Sequence, residues 1–174
     1  MAADDLLLRQ APHSPQAEQA VLGSMLIDPD CIKDVMDKLQ PEDFYLRANR
    51  DIFETIYHMF IYSRPIDGVT VAGEMERNGV YNDNTRDYLV QLMDVTPTSA
   101  NVMEYVKIVL DKSLMRQVAA AAGSITAMVQ EGNGDAGDML ESAEQKVYAI
   151  RRGRSAQNMV TVSMVLQDVM NHLA

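Results

Sequence analysis

Few side chains in this sequence stand where chemistry would need them. Glu54 and His58 lie one helical turn apart and could share a metal ion. Two ligands without a third do not make a site, however, and the pair reads more simply as a surface hydrogen bond. The other histidines, His13 and His172, lie far away along the chain. Cys31, the sole cysteine, lacks a basic partner of the kind that activates a thiol and reads as a small half-buried residue. A phosphate-binding loop needs glycines that let backbone amides approach, followed by a lysine, and no glycine here precedes a lysine. GxSxG does not occur either. Arg151, Arg152 and Arg154 form the one basic cluster. It could meet phosphate, or it could complement the C-terminal dipole of a helix; the carboxylate excess favours the second. The carboxylates are spread thinly and read as solubilising groups on exposed helix faces. No catalytic constellation emerges, so the chain is expected to be non-catalytic, with no cofactor or metal of its own.

Charge and composition narrow the classes further. Fifteen Lys+Arg against 25 Asp+Glu leave a net charge of −10, whereas nucleic-acid affinity rests on cations that displace counterions from phosphates. A chain at 47% hydrophobic is too apolar for a disordered tail. One cysteine excludes an internal disulfide framework and suits a reducing cytosol. The N-terminus is acidic where a signal peptide would be basic, and the longest apolar run, Val118 to Ala122, is far below the roughly 20 residues of a membrane span. A soluble, cytoplasmic domain is expected.

The elements that must position any site are helical. Ser14-Pro15 reads as an N-cap with proline at the first helical position, followed by the stripe Ala17, Val21, Leu22, Met25, Leu26. Asp30 is expected to cap a second helix carrying Ile32, Val35, Met36 and Leu39, which Pro41-Glu42-Asp43 breaks. A third helix is expected over 47–63, with Ile52, Phe53, Ile56, Tyr57, Met59 and Phe60 inward. A fourth starts at Asp67 or Thr70 and stops at Asn78-Gly79, a C-terminal signal. A fifth starts near Asn84 with Tyr88, Leu89, Leu92 and Met93. No segment alternates with period two long enough for a strand.

All prolines lie at or before Pro97, and longer helices follow. From Asn101 to about Gln130 the residues Val102, Val106, Leu110, Leu114, Val118, Ile125 and Val129 keep helical spacing, a helix roughly 45 Å long. The Gly-rich stretch 131–137 turns the chain into a second helix with Leu140, Ala143, Val147 and Ile150. The two make an antiparallel hairpin, apolar on more than one side and so expected to meet a partner. After a polar linker, Val162, Val165, Leu166, Val169, Met170 and Leu173 form a last stripe. So short a helix is marginal alone: it either folds back on the hairpin or docks elsewhere. The expected architecture is all-α. It comprises an arm over 1–13, a multi-helix head over 14–100, a long hairpin over 101–152, a linker over 153–160 and a terminal helix over 161–174.

Four ordered motifs carry a family resemblance: the segment Pro15 to Leu26; Pro41-Glu42-Asp43-Phe44-Tyr45 with Ile52-Phe53 beyond; Pro65 to Val71; and Thr96 to Tyr105, continuing into Lys112-Ser113-Leu114-Met115-Arg116. Together they resemble the N-terminal domain of DnaB-type replicative DNA helicases. Members often carry histidine where Asn49 stands, a Gly-Gly pair where this chain has Asp83 to Asp87, and bulkier residues at Ala119 to Ala122. The resemblance implies a helical head and hairpin that build a collar, a dimer assembling as a trimer of dimers. ATP and Mg would belong only to a RecA-like motor that this chain lacks, and DNA would be engaged only through the full hexamer. Implied partners are the C-terminal domain of a DnaG-type primase and, in some systems, a helicase loader. The terminal stripe, Val162, Val165, Leu166, Val169 and Leu173, would dock on a neighbouring motor. Within this frame Ile125, Met128, Leu140 and Val147 on the hairpin are candidate anchors. Tyr88 on the head joins them, since aromatics are enriched at hot spots. The competing reading is a helical module that binds single-stranded DNA directly, which the acidic balance opposes.

Overall fold

The computed structural model describes residues 11–132 and 134–153. The first helix, α1 (Pro15–Ile27), starts as its residues dictate: the Ser14 hydroxyl accepts from the Ala17 amide at 3.3 Å and Pro15 occupies the first turn. Buried residues lie nearly all round it, Ala17, Val21, Leu22, Met25 and Leu26 among them, so it forms the centre of the head. Gly23 is required there, because a Cβ would overlap the Leu92 carbonyl oxygen and the Thr96 side chain. Its absence lets α1 lie against the helix that carries Leu92.

The next turn departs from expectation. Asp28, not Asp30, is the cap: its carboxylate accepts from the Asp30 amide at 3.2 Å and starts a 3-10 turn, Pro29–Cys31, which runs into the short α2 (Ile32–Met36). The proline directly after Asp28 fixes the capping position two residues earlier. A second 3-10 turn, Pro41–Asp43, leads through Phe44 to α3 (Arg47–Ile61). Phe44 and Phe53 are fully buried with ring centroids 4.7 Å apart. Phe60, expected inward, is instead 38% exposed, because the last turn of α3 has no neighbour on that side to cover it.

α3 and α4 (Gly68–Arg77) end alike. Each closes with a left-handed residue, Ser63 at φ 51° and Gly79 at φ 72°. The following amides bond back to Met59 and Met75 carbonyls, at 2.9 and 3.0 Å, which satisfies two of the last-turn acceptors. The Asp67 carboxylate caps α4 by accepting from Val69 and Thr70 amides at 2.8 and 2.9 Å. Those bonds hold its pKa below the ordinary carboxylate value. Arg64 and Arg77 both reach Glu74, at 2.7 and 3.2 Å. α5 (Thr85–Asp94) buries Leu89 and Leu92.

The long helix α6 (Val102–Glu131) contributes Val102, Val106, Val109 and Ser113 to the head. Ser113, donating to Asp43 Oδ1 at 2.7 Å, is its last buried residue. The chain divides there into two compact units, the first ending at Ser113 and the second starting at Leu114. In the second unit the rest of α6 turns through left-handed Gly132 and Gly134 into α7 (136–153), started by the Asp135 carboxylate accepting from Gly137 and Asp138 amides at 2.6 and 3.0 Å. The described residues contain helices, turns and no strand. The terminal helix expected over 161–174 lies outside them.

Candidate functional site

The hairpin is the first candidate. Its half-buried residues recur at helical spacing: Leu114, Ala121, Ile125 and Met128 on α6, and Met139, Ser142, Ala143, Lys146 and Ile150 on α7. Those rows are what two helices of a hairpin present to each other. None of the described residues from Leu114 onward reaches full burial. Meanwhile Val118, Val129, Leu140, Val147 and Tyr148 are between 52% and 63% exposed. Of the sequence-named anchors, Ile125 and Met128 therefore sit on the half-buried row, while Leu140 and Val147 sit on the open face. Along α7 that face bounds a groove of about 680 Å³ lined by Ala143, Val147, Tyr148, Glu144 and Arg151. Tyr148 was legible, since Leu140, Val147 and Tyr148 stand at i, i+7 and i+8, within one broad helical stripe; the apolar pattern alone passed over it.

The second candidate surrounds Tyr88, which the structure places in the head and away from the other anchors in sequence. It is half-buried, and burial pushes its hydroxyl pKa up. That hydroxyl donates to Asn49 Oδ1 at 2.6 Å and accepts from Gln19 Nε2 at 3.3 Å. Behind it, Asn49 Nδ2 donates to Glu18 Oε2 at 2.8 Å. Glu18 also accepts from the Tyr45 and Leu46 amides, at 2.8 and 3.3 Å. Leu46 precedes α3 and offers no capping side chain, so Glu18 of α1 serves the start of α3 from outside. Glu18 and Asp43 are 1% and 7% exposed, which corrects the reading of the carboxylates as uniformly surface groups. Sequence reasoning missed Glu18 because its partners lie 27 or more residues away, and missed the burial of Asp43 because Ser113, which joins its local partner Gln40, lies 70 residues on.

The residues first weighed for chemistry stay dispersed. Glu54 and His58 lie 3.9 Å apart on the exposed side of α3. They border a cavity of about 420 Å³ together with Asp51, Tyr62, Arg64 and Glu74. Among the described residues no three His, Cys, Asp or Glu side chains gather as a metal site would require. Burial, reinforced by Asp28, pushes the Cys31 thiol up to about 11, which disfavours the thiolate a nucleophile needs. Arg151 and Arg152 are exposed in the last turn of α7, and Arg154 lies outside the described residues. No described helix is long and apolar enough to cross a membrane.

Comparison with known proteins agrees with this geometry. The family model described as "DnaB-like helicase N terminal domain" matches residues 10–111, the stretch that forms the closed head. Replicative DNA helicase DnaB of Mycobacterium leprae is 34% identical over 171 residues, covering 95% of this chain and 28% of the relative. That of Pasteurella multocida is 32% identical over 149 residues, covering 84% and 32%. The chain thus spans about a third of the length of these relatives. The crystal structure of the N-terminal domain of DnaB helicase from Mycobacterium tuberculosis superposes with a TM-score of 0.74 at 35% identity, covering 81% of this chain and 99% of that one. The Helicobacter pylori N-terminal domain of DnaB helicase, a structure described with its interactions with primase, gives a TM-score of 0.59 at 23% identity, covering 66% and 90%. This last likeness is one of fold.

Proposed function

This chain belongs to the family of DnaB-like helicase N-terminal domains, and from that premise we propose that it is the non-catalytic collar portion of a cytoplasmic replicative helicase. In this reading its hairpin pairs with that of a second copy, as one step toward a trimer of dimers, and the resulting surface receives the C-terminal domain of a DnaG-type primase and, where one exists, a loader. The stripe Val162, Val165, Leu166, Val169, Leu173 docks on a neighbouring motor. ATP, Mg and DNA are handled by that motor and the full hexamer.

The observation that supports assembly and docking is the open apolar face of the hairpin. Burying apolar surface stabilises by about 25 cal/mol per Å², and large side chains such as Leu140, Val147 and Tyr148, 52–63% exposed, retain most of that gain for a partner. Clustered exposed apolar surface of this kind marks interaction sites more often than solvent-facing structure. Light scattering on a sizing column, with and without the primase C-terminal domain, tests the reading. A dimer or larger species that shifts with primase supports it. A monomer that ignores primase at tens of micromolar would remove both assembly and docking from this chain.

A further inference from the structure

The open face of α7 has a length and a spacing that recur in the sequence beyond it. Leu140, Val147, Tyr148 and Arg151 stand at i, i+7, i+8 and i+11. The first three are 52–63% exposed, and from Glu141 to Arg151 the helix floors the groove of about 680 Å³. Val162, Val169, Met170 and Leu173 stand at the same offsets, with Val165 and Leu166 filling the turn between them. As a helix each row covers about 16 Å. So short a helix needs an apolar surface to form against, and one of matching length lies in its own chain. α7 closes at residue 153, and eight residues, 154–161, separate it from the stripe. Antiparallel helices are commonly joined by about 2–8 residues, so this connection allows the return. Residues 155–174 carry only Asp168 and His172 as charged or titratable side chains, which suits a groove rimmed by Glu141 and Glu144.

We propose that the stripe Val162 to Leu173 seats antiparallel in the α7 groove of its own chain, with Leu173 level with Leu140, Leu166 with Val147 and His172 with Glu141. A segment tethered this closely meets the groove at about millimolar effective concentration, which favours it over the same stripe of a second chain in dilute solution. The inference goes beyond the function proposed above. There the stripe docks on a neighbouring motor; here it has a second seat, so a motor that takes the stripe also uncovers Leu140, Val147 and Tyr148. The row Met115, Val118 and Val129 on α6, 51–59% exposed, stays open for a second copy in either state.

Disulfide trapping in the whole chain, with Cys31→Ser as background, tests the seat. Mild oxidation should link Leu140→Cys with Leu173→Cys, and Val147→Cys with Leu166→Cys, each within a single chain. Leu140→Cys with Val162→Cys, about 16 Å apart in this register, should link about tenfold more slowly, being beyond the reach of a disulfide. Adding Val169→Asp should slow the first two links about tenfold, because a carboxylate would lose its water in an apolar groove. Equal linkage of all three pairs would overturn the inference, since it shows no register. So would linkage indifferent to Val169→Asp, or no linkage at all. Links found only between chains would give the groove to a second copy and overturn it too. Light scattering of the unaltered chain, with and without primase, reads assembly and docking separately, so failure of the seat is told apart from failure of the proposed function.

Discussion

Head and hairpin are built from the same element, the amphipathic helix, yet bury their stripes to very different degrees. Every buried hydrophobic residue of the described chain lies at or before Val109, from Ala17 in α1 onward. Beyond Ser113 the described residues contain none. α6 makes the contrast within one uninterrupted helix: Val102, Val106 and Val109 are at most 6% exposed, Val118 and Val129 more than half. Helical spacing is therefore no measure of burial; what decides is whether another element closes over the stripe. The head is stabilised from within, whereas the hairpin leaves large apolar side chains open. Changes in the head should then register as lost stability, and changes on the hairpin as lost association.

The largest effect is expected at Glu18. Glu18→Ala leaves the Tyr45 and Leu46 amides and the Asn49 side chain without the acceptor they share. Each unsatisfied buried group costs about 1–3 kcal/mol, so the head should lose about 3 kcal/mol in urea denaturation. Val147→Asp, on a hairpin residue 52% exposed, should leave the same transition within about 0.5 kcal/mol. Equal destabilisation by the two variants would abolish the distinction between the regions.

Next in size is Ile125→Asn. Ile125 is half-buried on the hairpin row, and a lost apolar contact there should weaken primase binding by about 2 kcal/mol, roughly thirtyfold. The head's urea midpoint should stay where it was. An unchanged affinity in a folded variant would take Ile125 off the docking surface.

What could be read in advance divides along the same line. Periodic stripes and local caps, such as Ser14-Pro15, Asp67 and Asn78-Gly79, are legible because their causes lie within a few residues of one another. Glu18 to Asn49 and Asp43 to Ser113 are not. They join residues 31 and 70 positions apart and carry no period, and an isolated carboxylate on a helix looks the same whether solvent or an amide receives it. Tyr88 was legible as an aromatic but not as the surface end of a buried chain of bonds. On the hairpin the pattern named Ile125, Met128, Leu140 and Val147 alike, although the first two lie on the half-buried row and the last two on the open face. Pattern shows that a stripe exists; which of several stripes is covered depends on what packs against it.

Cys31 offers a probe that the head carries and the hairpin does not. Burial, with Asp28 adding to it, raises its thiol from 9.0 to about 11. At pH 8 the reactive thiolate should be about a hundredfold scarcer than in unfolded chain, and alkylation by iodoacetamide some tens of times slower. A folded-state pKa above the unfolded one means that this contribution to stability is whole below pH 9 and is lost as pH rises toward 11. The thiol is only partly buried, so the loss should be at most about 1 kcal/mol. Native labelling as fast as that of unfolded chain would show the head open at Cys31, with the closure seen around α1 and α2 failing in solution.

The smallest effect separates closure by backbone geometry from closure by burial. α3 and α4 end in the same hydrogen-bond pattern, but α4 reaches its left-handed position with Gly79 and α3 with Ser63, at φ 51°. A side chain in that region costs about 1–2 kcal/mol, and glycine relieves it while adding entropy to the unfolded chain, which returns part of the gain. Ser63→Gly should therefore stabilise the head by about 0.5 kcal/mol in urea denaturation. Gly79→Ala should act in the opposite sense by about 1 kcal/mol, since a Cβ at Gly79 would meet nothing within 4 Å and only the backbone is strained. Both shifts should appear in the head's transition and neither in primase affinity. A loss of stability in Ser63→Gly would mean that the exposed turn of Phe60, Ile61 and Tyr62 depends on the serine side chain more than on its backbone angle.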